Sequence, residues 1–571
     1  MSRVNTRRSS RRTVRSTASR RGGHAKTAVP DEFEQIGDGS DRTGGKKVGT
    51  DILLIVAGAL LFSLAFPNVL TKWGMFPVAF VSLVPVFVVV RRATWVEAPL
   101  YGLLYGFLTY TVFNYWLMVF HPLSIFIVPV IYASYFFVLF PILKVVDTAF
   151  PRYGYLAQLV VWMAYEYLRI QGFLGYAYGI IGYSQYLFSP FIRISAITGV
   201  WGVSFLVAFP SAYLAAALAD GVSSVRGFVR RHRIDAVAYA VVFVAVLVYG
   251  LATSRDYSAA PTVRAALIQQ DIDPHVGGLS AYRGSLDALV RQSTAALESD
   301  PEIDIVIWSE TSFVPAIEYH TRYRESPEMW ALVRELLEFL DGQTVPYVIG
   351  NGDGQRRRNA AGELVRVDYN AALVYDRGEF IDTYRKVHLV PFTEHFPYER
   401  TLPWLHRLLV ENDTTFWEHG DEFTVFEAAG MKFSTPICFE DTFGYLSREF
   451  IRAGAEVIVN LTNDSWSKSV PAAMQHMAMA VFRATENRRS VVRSTNGGMT
   501  VFIDPNGTIT DMLPAFVEGY LIGDIPVYTD ETTVYTRYGD WLAWLFLFGA
   551  IGLTVGAVVL VIVRRAHAAR S

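Results

Sequence analysis

The chain has 571 residues, a formal net charge of −2, 52% hydrophobic residues and a mean hydropathy of +0.26. That is high for a water-soluble chain, and the apolar runs gather in the first 255 residues and again near the C-terminus. A single cysteine excludes an internal disulfide and a cysteine-based metal cluster.

Nine Lys/Arg and no acidic residue precede residue 27. The basic, Ser/Arg/Gly-rich arm over residues 1–50 has the composition of a disordered segment. The apolar run that follows marks it as the cytoplasmic flank of a membrane span rather than a nucleic-acid arm. Residues 51–255 read as a transmembrane domain of about seven spans, since a span needs about 20 mostly apolar residues. The candidates lie near 51–69, 73–90, 97–119, 123–145, 154–169, 197–219 and 235–253. An eighth, near 539–563, falls in a final segment 531–571 that ends in a cytoplasmic tail. The fifth is interrupted by Tyr165, Glu166 and Arg169. The first is long and lacks a small-residue cleavage site, so it is no cleavable signal peptide.

Lys/Arg in short loops sets orientation. The basic arm, Arg91, Arg92, Lys144, Arg152, Arg226, Arg230, Arg231, Arg233, Arg564, Arg565 and Arg570 all fall on one side, which is then cytoplasmic. Both termini lie there, and the domain between the seventh and eighth spans lies outside the cytoplasm. The Tyr/Gly/Phe-rich stretch Gln171–Ile194 sits between spans on that outer side and reads as an interfacial arm. Glu166 and Arg169 share a face of the fifth span, as a structural ion pair or a functional one.

Residues 256–530 alternate strands and helices, which implies a layered α/β fold. Strands are expected at Val263–Gln269, Ile303–Trp308, Tyr347–Gly350, Ala371–Tyr375, Phe380–Tyr384, Thr424–Phe426, Met431–Pro436, Glu456–Leu461, Val491–Ser494 and Thr500–Ile503. Helical spacing covers Leu286–Leu297, Met329–Leu340 and 472–488, and a helix is expected from Cys438 to Ala453. Three polar groups end strands or follow them, where α/β enzymes place chemistry: Glu310, Lys386 and Cys438. A thiol at a helix N-terminus is favoured as thiolate. A carboxylate, an ammonium and a thiol together can run acyl transfer, with the carboxylate taking the thiol proton and the ammonium, with a backbone N–H, steadying an oxyanion.

The order Glu310, Lys386, Cys438 in these contexts resembles the nitrilase superfamily, which uses a Glu-Lys-Cys triad on an α-β-β-α sandwich. Spans on both sides of such a domain resemble the apolipoprotein N-acyltransferase family. The matching segments are Glu166-Tyr167-Leu168-Arg169, Gly182-Tyr183-Ser184-Gln185, His388-Leu389-Val390-Pro391-Phe392-Thr393-Glu394, Ile437-Cys438-Phe439-Glu440 and Asn463-Asp464-Ser465-Trp466. The resemblance covers about residues 51–563.

It implies that Glu310 is the general base, Lys386 the oxyanion-side cation and Cys438 the nucleophile. Glu394 and Glu440 match the family's additional acidic residues and would hold Lys386 and the site's hydrogen bonds in place. Phe439 stands where a Tyr is often found and keeps the ring. Tyr384, His388 and Trp466 are candidates for substrate contact or pocket packing. Two features depart from the family. No Gly-Asn follows Gln269, and no Trp occurs in Asp273-Pro274-His275-Val276-Gly277-Gly278.

The implied reaction is ping-pong. Cys438 takes an acyl chain from a membrane phospholipid, and the α-amine of a diacylated apolipoprotein's N-terminal cysteine then receives it. No metal or organic cofactor and no nucleic acid is implied. The implied location is the bacterial plasma membrane. In some actinobacteria the family works beside a polyprenyl-phosphate mannose synthase, which the basic arm could host. The alternative is a membrane-tethered amidase acting on another carbon–nitrogen bond.

Overall fold

A computed structural model describes residues 43–120, 124–219, 221–358, 362–411 and 416–568. The arm over residues 1–42, and with it the surface suggested for a mannose synthase, lies outside the described residues, as does Arg570. Asp51–Ser571 form one compact unit that includes both the apolar helices and the α/β domain.

Among the described residues, five helices are long and apolar enough to cross a bilayer: Gly45–Ala65, Ile125–Ala149, Val200–Leu218, Arg233–Ala252 and Trp541–Arg564. The other three candidate segments take shorter forms. Segment 73–90 breaks into a 3-10 turn at Phe76–Val78 and helices Ala79–Ser82 and Val84–Arg92. Pro77 and Pro85 begin two of those pieces, where a missing N–H costs nothing. The remaining two are helical over Glu97–Phe113 and Gly154–Leu168. Helix Glu97–Phe113 lies close against helix Ser124–Ala149 because Gly102 has no side chain; a Cβ there would sit 2.1 Å from the Phe136 carbonyl oxygen.

Among the described residues the α/β domain has twelve strands. They are β1 (Thr262–Gln269), β2 (Ile305–Ile307), β3 (Tyr347–Arg358), β4 (Leu364–Asp376), β5 (Glu379–Arg385), β6 (Phe426–Ala428), β7 (Met431–Ser434), β8 (Val457–Asn463), β9 (Ser490–Asn496), β10 (Thr500–Ile503), β11 (Ile509–Leu513) and β12 (Gly519–Pro526). They form two six-stranded sheets, ordered β12-β1-β2-β3-β4-β5 and β11-β10-β9-β8-β7-β6. Each sheet has a parallel centre, β1-β2-β3 and β7-β8-β9, with antiparallel strands outside it. The hairpin β4-β5 turns at Arg377 and Gly378, both at positive φ (49° and 90°), as a two-residue turn between twisted strands requires.

Helices Leu279–Ser299 and Pro327–Asp341 bury Leu286, Leu289, Leu332 and Leu336 against one sheet. Helices Gly444–Arg452 and Val470–Asn487 bury Leu446, Phe450, Met477 and Val481 against the other. The layering is α-β-β-α. Ser326 and Ser469 start two of these helices by accepting from the N–H of Met329 and Ala472, the standard role of an N-cap hydroxyl. Between the sheets, Ser494 Oγ donates to the Ile307 carbonyl (2.9 Å) and Thr500 Oγ1 to Gln269 Oε1 (2.6 Å).

Helix Val470–Asn487 is the seam between the two halves. Its outer face carries Gln475, Arg483, Thr485 and Glu486, yet all are buried. Segments from the apolar half take up those groups: Gln475 Nε2 donates to Pro67 O (2.8 Å), Arg483 to Tyr183 Oη (3.0 Å), Val200 N to Glu486 Oε1 (3.2 Å), and Thr485 Oγ1 meets Ser195 Oγ (2.7 Å).

Candidate active site

Three strand ends meet between the sheets. Glu310 follows β2, Lys386 follows β5, and Cys438 follows β7. β3 passes under the Glu310 backbone only because residue 350 is glycine; a Cβ there would lie 2.2 Å from Ser309 O and 2.7 Å from Glu310 Cα.

The expected helix from Cys438 to Ala453 has a different form. Cys438–Thr442 is a 3-10 turn, Phe443 is extended, and the α-helix runs only over Gly444–Arg452. Cys438 itself has φ 51°, a left-handed value that strains an L-residue. The thiol's charge state is corrected as well. Burial pushes the Cys438 thiol well above the ordinary cysteine value, the Glu310 carboxylate adds to this, and the Lys386 ammonium opposes both. At rest the sulfur is therefore a neutral thiol, and it needs a base.

Glu310, the candidate base, is held on both carboxylate oxygens. Its Oε1 accepts from Asn370 Nδ2 at 2.8 Å and lies 3.5 Å from Lys386 Nζ, while Oε2 accepts from the Asn463 amide at 2.9 Å. Burial pushes Glu310 up from the usual carboxylate range; Lys386 pulls it back and Glu394 adds to the rise. Lys386 is fully buried and donates to Glu394 Oε1 at 2.9 Å. Burial works against its ammonium, but the Glu394 and Glu310 carboxylates outweigh this and hold it above the ordinary lysine value. Glu394 Oε2 also accepts from Val390 N (2.8 Å), tying the loop after β5 back on itself.

Glu440 lies behind these groups, fully buried. Its Oε1 accepts from Tyr384 Oη (2.8 Å) and from the amides of Val387 and His388 (both 2.9 Å). Its Oε2 accepts from Ile437 N at 2.7 Å. One carboxylate thus fastens the residue before Cys438 to the residues after Lys386. Burial pushes it up to about 7, with the Lys386 ammonium opposing. Neither Tyr384 nor His388 is among the described residues lining the cavity; Tyr384 is spent on Glu440, and His388 packs 4.4 Å from the Phe443 ring. Phe439 and Trp466 do line it, with Trp466 5.6 Å from Trp116.

The cavity has a volume of about 460 Å³. Glu310, Cys438, Asn370 and Glu394 lie at one side; Leu117, Ile127, Val128 and Ile131, from the apolar half, form another. The stretch Gln171–Ile194, an arm over this opening, supplies Leu174, Tyr176 and Tyr178. Phe173 of the arm sits 5.2 Å from Phe392 and 5.4 Å from Tyr398, so the arm closes on the loop after Lys386. Pro274 and His275 line the wall where a Trp was expected from the family pattern. Among the described residues no cluster of three or more His, Cys, Asp or Glu is arranged for a metal ion.

Sequence reasoning missed Asn370, the Asn463 amide and His476. Asn370 had a signal: it is the one amide in Asn370-Ala371-Ala372-Leu373, an otherwise small and apolar run of a buried strand. His476 had none, because helical spacing cannot tell which neighbours a histidine meets.

Two family models match the chain: the apolipoprotein N-acyltransferase N-terminal domain over residues 58–213 and the carbon-nitrogen hydrolase domain over residues 264–533. Apolipoprotein N-acyltransferase 1 of Treponema denticola is 43% identical over 510 residues, covering 87% of this chain and 94% of that protein. The protein of the same name from Treponema pallidum is 40% identical over 522 residues, covering 89% and 96%. Of solved structures, Saccharomyces cerevisiae Nit3 of the nitrilase superfamily is 16% identical with a TM-score of 0.33, covering 48% of this chain and 93% of Nit3.

Proposed function

The chain belongs to the apolipoprotein N-acyltransferase family, and we propose that it moves one acyl chain from a membrane phospholipid to the α-amine of a lipoprotein's N-terminal diacylglyceryl-cysteine. The observation that carries this reading is the shared cavity. Glu310, Cys438 and side chains of apolar helices line the same space, with Lys386 buried 3.5 Å from Glu310 Oε1, so a chain drawn from the bilayer can reach the sulfur.

In the first half-reaction Glu310 takes the Cys438 proton and the sulfur attacks the ester carbonyl carbon. Lys386 and a backbone N–H neutralise the oxyanion. The carbon–oxygen bond breaks, and the lysophospholipid alkoxide takes the proton from Glu310. In the second, the amine attacks the thioester and gives a proton to Glu310. The carbon–sulfur bond breaks, and the thiolate recovers that proton. Glu394 and Glu440 hold Lys386 and the turn at Cys438. Phe439 and Trp466 shape the acyl wall, while Tyr384 and His388 act from behind it.

The Lys/Arg distribution supports eight spans, cytoplasmic termini and an extracytoplasmic catalytic domain in the plasma membrane. The curated relatives favour this reading over the amidase alternative. Intact-mass measurement tests it. In phospholipid vesicles the protein gains the mass of one acyl chain on Cys438, a diacylated lipopeptide discharges it, and Cys438→Ala gains nothing. Turnover of a small amide with no lipid-derived adduct would sink the reading.

A further inference from the structure

The chemistry above leaves unused a buried charge cluster beside Cys438. His476, on helix Val470–Asn487, is 2% exposed and lines the cavity beside Cys438. Its Nδ1 lies 2.9 Å from Asp464 Oδ1, its Nε2 2.9 Å from Asp441 Oδ1, and Nε2 is also 3.3 Å from the Cys438 carbonyl oxygen. All three partners are acceptors. A neutral imidazole has one N–H, so it would press a bare nitrogen lone pair against one carboxylate. Only the imidazolium satisfies both sides. Arg493 closes the ring, with its guanidinium 2.6 Å from Asp441 Oδ2 and 3.5 Å from Asp464 Oδ2. Two cations and two anions balance, which is how buried charge is tolerated. Burial opposes the His476 charge, as does Arg493, but the two carboxylates hold it up at about 9.

Building on the acyl-transfer reading, we propose that His476 is a positioning residue: a fixed imidazolium that polarises the Cys438–Phe439 peptide and makes its N–H the oxyanion donor that works beside Lys386. In a planar trans peptide the C=O and N–H point opposite ways. The Cys438 carbonyl points at His476 and at Asn460 Nδ2 (3.4 Å), so the Phe439 N–H points away from them. A cation on the carbonyl oxygen draws electron density from the amide and strengthens its N–H as a donor. The same bonds hold Cys438 at its left-handed φ of 51°. The groups facing His476 come from every element around it: Asp441 in the 3-10 turn, Asp464 after β8, Arg493 on β9, the Cys438 carbonyl, and the Tyr178 ring of the arm at 6.0 Å.

The test uses the full chain in vesicles of phosphatidylethanolamine and phosphatidylglycerol with ¹³C-labelled acyl carbonyls. Single-turnover acylation of Cys438 is followed by intact mass, and the thioester carbonyl by infrared difference spectroscopy. His476→Gln should acylate about 10²–10³-fold more slowly, with KM for donor lipid little changed and the carbonyl band at higher frequency. Wild-type acylation should fall above about pH 9 as the ring loses its proton; Lys386, held above its ordinary value, does not titrate there. His476→Gln acylating at the wild-type rate with an unmoved carbonyl band overturns the proposal. If that variant does not fold, a wild-type rate that stays flat to about pH 10.5 overturns it. Wild-type protein that takes no acyl chain on Cys438 defeats the acyl-transfer reading, and this proposal with it.

Discussion

Asn370→Ala isolates what the hydrogen bonds to Glu310 do. The amide donates to Glu310 Oε1 at 2.8 Å and to Glu394 Oε1 at 3.3 Å. A hydrogen bond to a charged group contributes about 1.5–3 kcal/mol, and one pKa unit corresponds to about 1.36 kcal/mol. Losing this donor therefore raises the Glu310 carboxyl further. The sign follows: the ionised base is lost at higher pH, so the acid limb of the acylation rate moves to higher pH. On that limb acylation slows by roughly 10–100-fold, and it recovers most of that loss as pH rises, because a more basic carboxylate is the better proton acceptor. The assay is single-turnover thioester formation in phospholipid vesicles, followed by intact mass from about pH 5 to 10. A loss that is the same at every pH would refute the argument. It would mean that Asn370, which lines the cavity, acts by touching substrate or by packing.

Other outcomes follow from neighbouring contacts. Glu440→Gln replaces an acceptor with an N–H that faces existing donors, Ile437 N among them; thermal melting in detergent should show a destabilisation of about 1.5–3 kcal/mol, and an unchanged melt would contradict the clamp. His388 is pushed down to about 4 by burial, with Lys386 adding to it. The unfolded chain takes the proton near pH 6.5 and the folded one does not, so stability is lost as pH falls from about 6.5 towards 4, by up to about 3 kcal/mol. His388→Gln should flatten the melting temperature over that window, and a slope equal to wild type would exclude His388 as its source. Phe173→Ala opens the contact with Phe392 and Tyr398. Without acceptor, its thioester should hydrolyse faster, read as free fatty acid released; an unaltered thioester lifetime would show that the arm does not exclude water.

Much of this architecture was visible in the residues. β1, β2, β7 and β8 are short apolar runs with buried side chains, and each catalytic candidate lies just past a strand end. The extension of β3 through Gln355–Arg358 gave no apolar signal, because beyond its ladder to β4 it is held by polar contacts such as that of Arg356 with Glu325. The turn at Cys438 was misread for a different reason. A left-handed φ at a non-glycine residue leaves no trace in local sequence, and whether a thiol is ionised depends on burial that only the assembled sheets create. The His476 cluster draws Asp441, Asp464 and Arg493 from three separate elements, so no window of sequence could contain it.

The helix that joins the halves limits how this protein can be taken apart. Arg483 and Glu486 pair with each other at 3.0 Å and are covered by Tyr183 and the Val200 amide, so cutting the hydrolase-like portion free would strip the cover from that ion pair, along a helix that also touches the turn at Cys438. Anyone seeking a small crystallisable fragment should change Gln475, Arg483, Thr485 and Glu486 first.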